Sequence, residues 1–365
     1  MVMRLLDTAT FEMVSGEQST FKEEGYAILS HRWVGREITF EQIQSLASQL
    51  RSAPVQPTAQ LAKIRGACDR AREQGLQWMW IDSCCINKAS TVEESESINS
   101  MFKWYRDAKL CITYLSDVRF STGTPKGEVF RSVDGTTASV WFSRGWTLQE
   151  LLAPKAMQFF DMDWQYMGTK AELADILAHI TQIDVSYLTG EKHFGNACIA
   201  SKMSWIASRT TARVEDLAYS MLGIFNVVMT PRYGEGMRAF MRLQQLLLST
   251  LTDESLFAWK LPQDQPPQVF TVPAGWEADE WGLLAPTPSC FKDSNRLTNV
   301  GKPVPRVHGG FSMTQQGLQV PIFDPGKART LGWLVCPLWI LAPLVHWILT
   351  HKEGEQPCNS VYEEQ

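Results

Sequence analysis

The stretch Tyr26–Trp33, YAILSHRW, decides the fold class of this chain. Gly25–Ser30 is a short and nearly all-apolar run, which is typical of a strand buried on both faces. It leads into a polar and aromatic loop, His31-Arg32-Trp33. Three later runs have the same character, and we predict that they are also buried strands. They are Trp78–Asp82, Leu110–Leu115 and Ala156–Asp161.

Helical stretches separate these apolar runs. Apolar residues recur at helical spacing in Thr39–Leu50, Leu61–Ala71 and Glu93–Ala108. Strands that alternate with helices predict an α/β fold with a parallel sheet flanked by helices. In such sheets ligands bind beyond the carboxyl ends of the strands. The polar residues that we expect at this edge are His31, Arg32, Trp33, Asp82, Cys85 and Asn87.

A further short helix is predicted in Trp141–Pro154, WFSRGWTLQELLAP. Ser143 is a helix-start signal and Pro154 is a stop signal. Three leucines between them form an apolar stripe at helical spacing, whereas Trp146 and Glu150 fall on the opposite side. The sequence therefore predicts a helix that buries its leucines and directs Trp146 and Glu150 elsewhere. The alternative is an ordinary surface helix with a half-buried tryptophan.

The length of 365 residues is enough for roughly two to three domains. We predict an α/β core in 1–165 and a helical extension in 166–260. An irregular or β-rich region, 261–330, begins with a linker rich in proline and glutamine. A hydrophobic segment, 331–349, and a polar tail, 350–365, complete the chain.

Composition excludes several classes of protein. Hydrophobic content is 44% and charged content 20%, as expected for a folded chain with a sizeable core. The net charge of -5 and the absence of a basic run exclude nucleic acid as a general partner. The eight cysteines form no CxxC pair and suggest neither a disulfide framework nor a zinc site. With no secretory signal at the N-terminus, a reducing, cytoplasmic location is expected.

The hydrophobic segment Leu331–Leu349 allows a second location. Its 19 residues carry no formal charge apart from a protonated His346, and a membrane span needs about 20 apolar residues. Basic residues flank the segment, as they would a C-terminal anchor. Pro337 and Pro343 interrupt it, however. The alternatives are therefore a membrane anchor, or one or two buried strands or a core helix.

Asp82 and Glu150 are the carboxylates expected at the strand-end cleft. A carboxylate beside aromatic rings can stabilise an oxocarbenium ion, as in glycoside cleavage, and it can also hold ribose hydroxyls. The alternative for Asp82 is a turn residue that accepts backbone amides. His31 with Cys84 or Cys85 indicates a thiol nucleophile only weakly, and packing is the simpler explanation for these cysteines. No residues suggest a metal site.

Four co-ordered motifs resemble the heterokaryon-incompatibility (HET) domain of filamentous fungi. They are YAILSHRW, WMWIDSCCIN, ESINSMFKWYRDAKLCITYL and WFSRGWTLQELL. A later stretch, RTTARVEDLAYSMLGIFNVVMTPRYGEGMRAFMRLQQLLLSTLTDESLFAW, is similar to the continuation common in that family. The resemblance covers roughly Tyr26–Trp259. It implies a role in self/non-self recognition, with programmed cell death when incompatible hyphae fuse.

SRGWTLQEL is also similar to the SxWCLxEL helix of TIR domains, in which the glutamate cleaves NAD. The resemblance implies a TIR-like, flavodoxin-like sheet, with Glu150 as the catalytic residue and Trp146 as the matching tryptophan. It differs in one residue inserted after Ser143 and in Thr147, which replaces the cysteine. The long loop Phe120–Thr137 is a further departure.

Two functions from different classes follow from these resemblances. The first is an incompatibility effector that hydrolyses NAD, with no required cofactor. In it Glu150 stabilises the ribosyl cation, and the loops that begin at His31 and Asp82 shape the nucleotide pocket. The second is a non-enzymatic module that signals by self-association and by binding other incompatibility proteins. A membrane-tethered effector that uses Leu331–Leu349 is a variant of either.

Overall fold

A computed structural model describes residues 2–51, 58–251, 253–260 and 283–297, and the backbone of three strands at 312–314, 317–322 and 332–336. Seven strands form the main sheet, in the order β2-β1-β4-β3-β5-β6-β7. They are β1 Val2–Asp7, β2 Met13–Glu17, β3 Tyr26–His31, β4 Trp78–Trp80, β5 Leu110–Tyr114, β6 Met157–Phe160 and β7 Tyr166–Thr169.

Eleven α-helices lie in the described parts of the chain. They are α1 Gln18–Glu24, α2 Phe40–Arg51, α3 Ala59–Glu73, α4 Thr91–Asp107, α5 Thr147–Leu152, α6 Ala174–Thr181, α7 Val185–Thr189, α8 Ile199–Ile206, α9 Asp216–Tyr219, α10 Leu222–Phe225 and α11 Arg238–Thr250. Short 3-10 helices occur at Lys126–Glu128, Val140–Ser143, Phe194–Asn196, Glu254–Phe257 and Pro288–Phe291.

The four strands predicted from apolar runs form the parallel centre of the sheet. β4, β3, β5 and β6 are hydrogen-bonded in parallel, whereas the pairs β1–β2, β1–β4 and β6–β7 at the two sides are antiparallel. The prediction of α/β architecture is confirmed, but the sheet is mixed and not wholly parallel. Counted along the chain, the parallel strands lie in the spatial order second, first, third, fourth. This doubly wound order places a switch point between β3 and β5, where such folds bind ligands.

Burial explains why these runs become strands. All six residues of β3 are buried, and the first four residues of β5 are buried as well. On the neighbouring strand Trp80 packs against Trp104 and Tyr105 of α4, with ring centroids 5.4 and 5.8 Å apart. Each fully buried large side chain contributes about 1.5–3 kcal/mol. The centre of the sheet is therefore fixed mainly by apolar contacts.

The helix predicted in Trp141–Pro154 buries its leucines as expected, but it begins later than predicted, and Trp146 precedes it and does not share a site with Glu150. Residues 140–143 form a 3-10 helix, and the α-helix begins only at Thr147. Ser143 is exposed, and its hydroxyl donates back to Val140 O at 2.8 Å instead of capping the helix. All six residues of α5 are buried, so the helix has no solvent face.

Pairing with a distant segment interrupts this helix. Thr210 N donates to Ser143 O at 2.7 Å, and Gly145 N donates to Thr210 O at 2.9 Å. A side chain at position 145 would meet Thr211, because an added Cβ would lie 2.5 Å from its Cγ2. The glycine therefore lets the helical extension form a short parallel bridge with the chain just before α5.

The predicted loop Phe120–Thr137 is anchored to the core. Phe130 is fully buried and packs against Phe142 and Phe159 at 5.0 and 5.1 Å between ring centroids. A bridge between Val118 and Ser132 closes its base. The loop is long, as predicted, and the buried contacts of Phe130 attach it to the core.

The helical extension differs from its prediction in one place. Leu217, Met221 and Phe225 recur at helical spacing, which predicts one helix over Val214–Phe225, whereas the structure forms two short ones, α9 and α10. Gly223 lets α10 approach α4 closely, since an added Cβ would lie 2.0 Å from Phe102 Cβ. This close packing joins the extension to the α/β core.

The C-terminal region is described only in part. Pro288–Phe291 packs against α8, and strands β8 Ser312–Thr314, β9 Gly317–Ile322 and β10 Gly332–Cys336 form an antiparallel sheet. β10 lies near the start of the hydrophobic segment 331–349. A strand in this segment is one of the predicted alternatives to a membrane anchor. The rest of that segment, the linker 261–267 and the tail 350–365 lie outside the described residues.

Among the residues that the structure describes, no helix combines the length and apolar character that a membrane crossing requires. The proposed domain limits at 165, 260 and 330 stay predictions.

Candidate functional site

Glu150 lies at the centre of a buried hydrogen-bond chain. Packing of α5 on β3 brings its carboxyl to Ser30, whose hydroxyl donates to Glu150 Oε2 at 2.5 Å. The Ser30 oxygen in turn accepts the indole N–H of Trp141 at 2.9 Å. On the other side the hydroxyl of Tyr105 donates to Leu29 O at 2.9 Å. The Tyr105 hydroxyl also interacts with Glu150, and this raises the pKa of Tyr105, after the larger effect of burial.

Burial raises the pKa of Glu150 to about 8. The hydrogen bond from Ser30 opposes the shift, and the negative charge of Asp82 adds to it. Arg144 and Arg209 lower the pKa but do not offset the loss of water. At neutral pH the carboxyl is therefore mostly protonated, and it can donate a hydrogen bond as well as accept one.

The ends of β3 and β4 meet beside this chain of hydrogen bonds. His31 closes β3, and its Nε2 lies 3.8 Å from Asp82 Oδ1. The other Asp82 oxygen, Oδ2, accepts the indole N–H of Trp33 at 2.8 Å. Lys88 covers the Trp33 ring, with Nζ 3.5 Å from its centroid. The predicted residues His31, Trp33 and Asp82 are thus brought together by the structure.

A buried ion pair between Lys63 and Glu37 lies next to the His31 imidazole. Lys63 Nζ contacts both oxygens of Glu37 at 2.6 Å, and Glu37 Oε2 lies 4.0 Å from His31 Nε2. Burial, together with the smaller effect of the Lys63 charge, lowers the pKa of His31 to about 3. The imidazole is therefore neutral at physiological pH.

Trp146 faces the helical extension. It is half-buried, and it hydrogen-bonds to Asp216 at the start of α9. Tyr233 also donates to this carboxylate, at 3.0 Å. Burial raises the pKa of Asp216 despite both donors. The guanidinium of Arg213 covers the Tyr233 ring at 4.0 Å, so Trp146 joins a second polar cluster.

Arg209 ties the extension to the start of α5. Its Nη1 donates to Arg144 O and to Thr147 Oγ1, both at 2.9 Å, and its Nε donates to Trp205 O at 3.0 Å. Burial lowers the pKa of Arg209 to about 9, although the nearby Glu150 opposes this shift. The guanidinium therefore orients the segment that carries Glu150.

Three predicted site residues lie outside this arrangement. Arg32 is exposed. Cys85 is buried, and its sulfur accepts the Ile81 amide at 3.3 Å. Asn87 is a turn residue. Its backbone N–H donates to Glu93 Oε1 at 2.8 Å, and its side-chain oxygen accepts the backbone N–H of Ala89. Their predicted roles in binding stay predictions.

Several residues of the site were not predicted from the sequence. Ser30 could have been found, because it is a polar residue in an otherwise apolar buried strand. Lys63 and Arg209 give no such signal, since each looks like a surface residue of a helix or turn and is buried only by tertiary contacts. Over the described residues, no group of three or more histidines, cysteines and acidic side chains could hold a metal ion.

The arrangement combines a buried glutamic acid, a second carboxylate and two aromatic rings at the switch point of the sheet. The positive charges of Lys88 and Arg144 both lower the pKa of His31, so they contribute to the electrostatic environment of this site. Such a set can bind an anionic ligand with a ring system and can stabilise positive charge that develops on it.

Comparison with known proteins gives a family. The model of the family described as "Heterokaryon incompatibility protein (HET)" matches residues 26–134. The vegetative incompatibility protein HET-E-1 of Podospora anserina is 37% identical over 226 residues, which are 60% of this chain. The chain spans only 16% of the length of that relative. No solved structure shows significant similarity to this chain. Residues 26–134 therefore match the HET family, and the similarity to a fungal vegetative incompatibility protein extends over 60% of the chain.

Proposed function

We propose that this chain is an effector of heterokaryon incompatibility that triggers cell death by hydrolysing NAD. The named relative supports the biological role, because a vegetative incompatibility protein shares 37% identity with most of the chain. The doubly wound order of β3 to β6 supports a TIR-like relationship of the sheet, since flavodoxin-type folds have the same order.

The observation that carries the proposed chemistry is the position of Glu150. Its helix follows β5, and its carboxyl reaches Ser30 at the end of β3, so it lies at the switch point of the sheet. In NAD hydrolysis the bond between ribose C1′ and the nicotinamide nitrogen breaks, and the electron pair leaves with nicotinamide. Water then adds to C1′ and releases a proton. The ionised fraction of Glu150, which increases as the pH rises towards its pKa of about 8, would stabilise the ribosyl cation, while Trp33 or Trp146 would stack on a ring.

The test is NAD consumption by the purified full chain. We expect the wild type to convert NAD to nicotinamide and ADP-ribose under conditions that promote assembly. Glu150→Ala should lower the rate by about 10²–10⁴-fold, the usual effect of removing such a group. Glu215→Gln is the matched control, because Glu215 is also buried but belongs to the helical extension. Absence of NAD loss in the wild type would overturn the enzymatic proposal.

A specific observation favours the non-enzymatic alternative. Glu150 is only 5% exposed, and the chain's own hydroxyl groups surround its carboxyl. A glutamate in that position can act by holding β3, α4 and α5 together. In this case Glu150→Gln would keep both cell toxicity and self-association. Loss of toxicity with self-association intact would instead support catalysis.

Self-association, binding of other incompatibility proteins and a cytoplasmic location complete the proposal. The alternative location is a membrane, reached through Leu331–Leu349. Fractionation of the full chain and of a variant truncated before Leu331 separates these locations. A membrane fraction that contains only the full chain would support the anchor, whereas two soluble proteins would exclude it.

A further inference from the structure

Two buried polar atoms face each other at the edge of the sheet. His31 Nε2 and Asp82 Oδ1 are 3.8 Å apart, which is too far for a hydrogen bond. Neither atom has a hydrogen-bond partner among the described residues. The His31 side chain is 1% exposed, so these atoms are shielded from bulk water. Buried polar groups without partners are costly, and such a pair indicates a ligand.

The surrounding residues hold both atoms in place. Trp33 fixes the carboxylate of Asp82 through Oδ2, which leaves Oδ1 directed towards His31. Glu37 lies on the inner side of the imidazole, where Lys63 neutralises its charge. Because both neighbours of Nε2 are carboxylates, the neutral tautomer with hydrogen on Nε2 fits this environment. The pair therefore offers one donor and one acceptor.

A single hydroxyl group satisfies both atoms. An oxygen about 2.8 Å from each atom would bridge the pair, given their separation of 3.8 Å, and these are ordinary hydrogen-bond lengths. The hydroxyl would accept from His31 Nε2–H and donate to Asp82 Oδ1. An amine would oppose the imidazole N–H, and a carboxylate would repel Asp82.

We propose that His31 and Asp82 bind a hydroxyl of the ribose that carries nicotinamide, and so position the sugar for Glu150. This inference rests on the proposed function and names the group that the site recognises. Ser30, the residue before His31 on β3, donates to Glu150, so the Glu150 carboxyl lies next to this end of the strand. Lys88 and Arg144 supply positive charge beside the pair, as a pyrophosphate requires.

The test compares ADP-ribose and ADP by isothermal titration calorimetry on the full chain. ADP lacks the second ribose, and neither compound is a substrate for the proposed reaction. The wild type should bind ADP-ribose about 10- to 100-fold more tightly than ADP, the usual value of a hydrogen bond to a charged group. Asp82→Asn should abolish this preference and leave ADP binding unchanged, because its amide nitrogen would face His31 and could not accept.

Asp163→Asn is the matched control, since Asp163 is exposed and pairs with Arg119 on the surface. Trp33→Phe, which removes the N–H that orients Asp82, should give a smaller loss of the same preference. An equal affinity of the wild type for both compounds would overturn the proposal, as would a preference that survives Asp82→Asn. In those cases the pair holds water only.

Failure of the proposed function gives a different result. A chain that prefers ADP-ribose in the Asp82-dependent manner but consumes no NAD would retain the ribose site without hydrolysis. A chain that consumes NAD but shows no such preference would retain hydrolysis without this site.

Discussion

Glu150 at the sheet edge and Glu215 in the helical extension are buried to nearly the same extent, 5% and 6% exposed. Burial raises the pKa of Glu150 to about 8. Burial also acts to raise the pKa of Glu215, yet backbone hydrogen bonds, including those from Gly236 and Gly234, lower it overall. Burial acts to raise the pKa of both carboxyls, but this effect is much stronger at Glu150, and backbone donors outweigh it only at Glu215.

The two environments have different consequences. Glu215 Oε1 accepts the amides of Gly234 and Gly236 at 2.8 and 3.0 Å, which closes the turn before α11. Glu150 accepts a hydroxyl from Ser30, and hydroxyls can rotate and donate elsewhere. A carboxylate held by fixed amides is a structural element. A carboxyl held by hydroxyls can change its protonation state, which a catalytic group must do.

The largest expected effect concerns pH and the free energy of unfolding. The pKa of Glu150 is higher in the folded state, about 8, than its ordinary value of 4.5. Between these values the folded chain holds a proton that the unfolded chain releases, so rising pH destabilises the fold. The loss is on the order of 4 kcal/mol between pH 5 and 9. Urea unfolding should show that Glu150→Gln removes this dependence; equal pH dependence of both proteins would contradict it.

The second prediction tests Glu215 in the opposite direction. Its pKa is lowered on folding, so its stabilisation is present above the ordinary value and is lost as pH falls through the folded value. Glu215→Ala also leaves two backbone amides without an acceptor. We expect a cost of about 1–3 kcal/mol at pH 7 and a smaller one at pH 3, measured by urea unfolding. A cost that grows towards acid pH would show that the charge of Glu215 is unimportant.

The smallest effect is expected at Ser30. Ser30→Ala removes the donor that lowers the pKa of Glu150, so that pKa should rise further. The Trp141 indole also loses its acceptor. We expect a cost of about 1 kcal/mol at neutral pH, and a pH transition of stability at a higher pH than in the wild type. Ser30→Thr retains the hydroxyl and is the matched control. An unchanged transition in the alanine variant would show that Ser30 does not control Glu150.

The sequence predicted the parts of the fold that depend on local pattern. The apolar runs at Tyr26, Trp78, Leu110 and Met157 form the parallel strands, because a strand buried on both faces is apolar throughout. The edge strands β2 and β7 were not predicted from the sequence. β2, for example, reads MVSGE and is mostly half-buried or exposed, so it has no apolar run to detect.

Long-range pairing accounts for most of the other errors. Ser143 is a good helix-start residue by itself, but Thr210 pairs with the backbone on both sides of Arg144 and delays the helix to Thr147. The same limit applies to the site. His31, Trp33 and Asp82 could be placed at one edge by topology, whereas Lys63 and Arg209 reach it through contacts that no local pattern encodes.

The bond from Arg209 to the start of α5 also sets an order of events during synthesis. Arg209 follows Arg144 by 65 residues along the chain. Ribosomes add about 5–20 residues per second, so the guanidinium emerges about 3–13 s after the segment that it holds. Until then the start of α5 has its local hydrogen bonds, such as that from Thr147 Oγ1 to Trp141 O, but lacks the bonds from Arg209. The segment that carries Glu150 is therefore complete only after the helical extension has been translated.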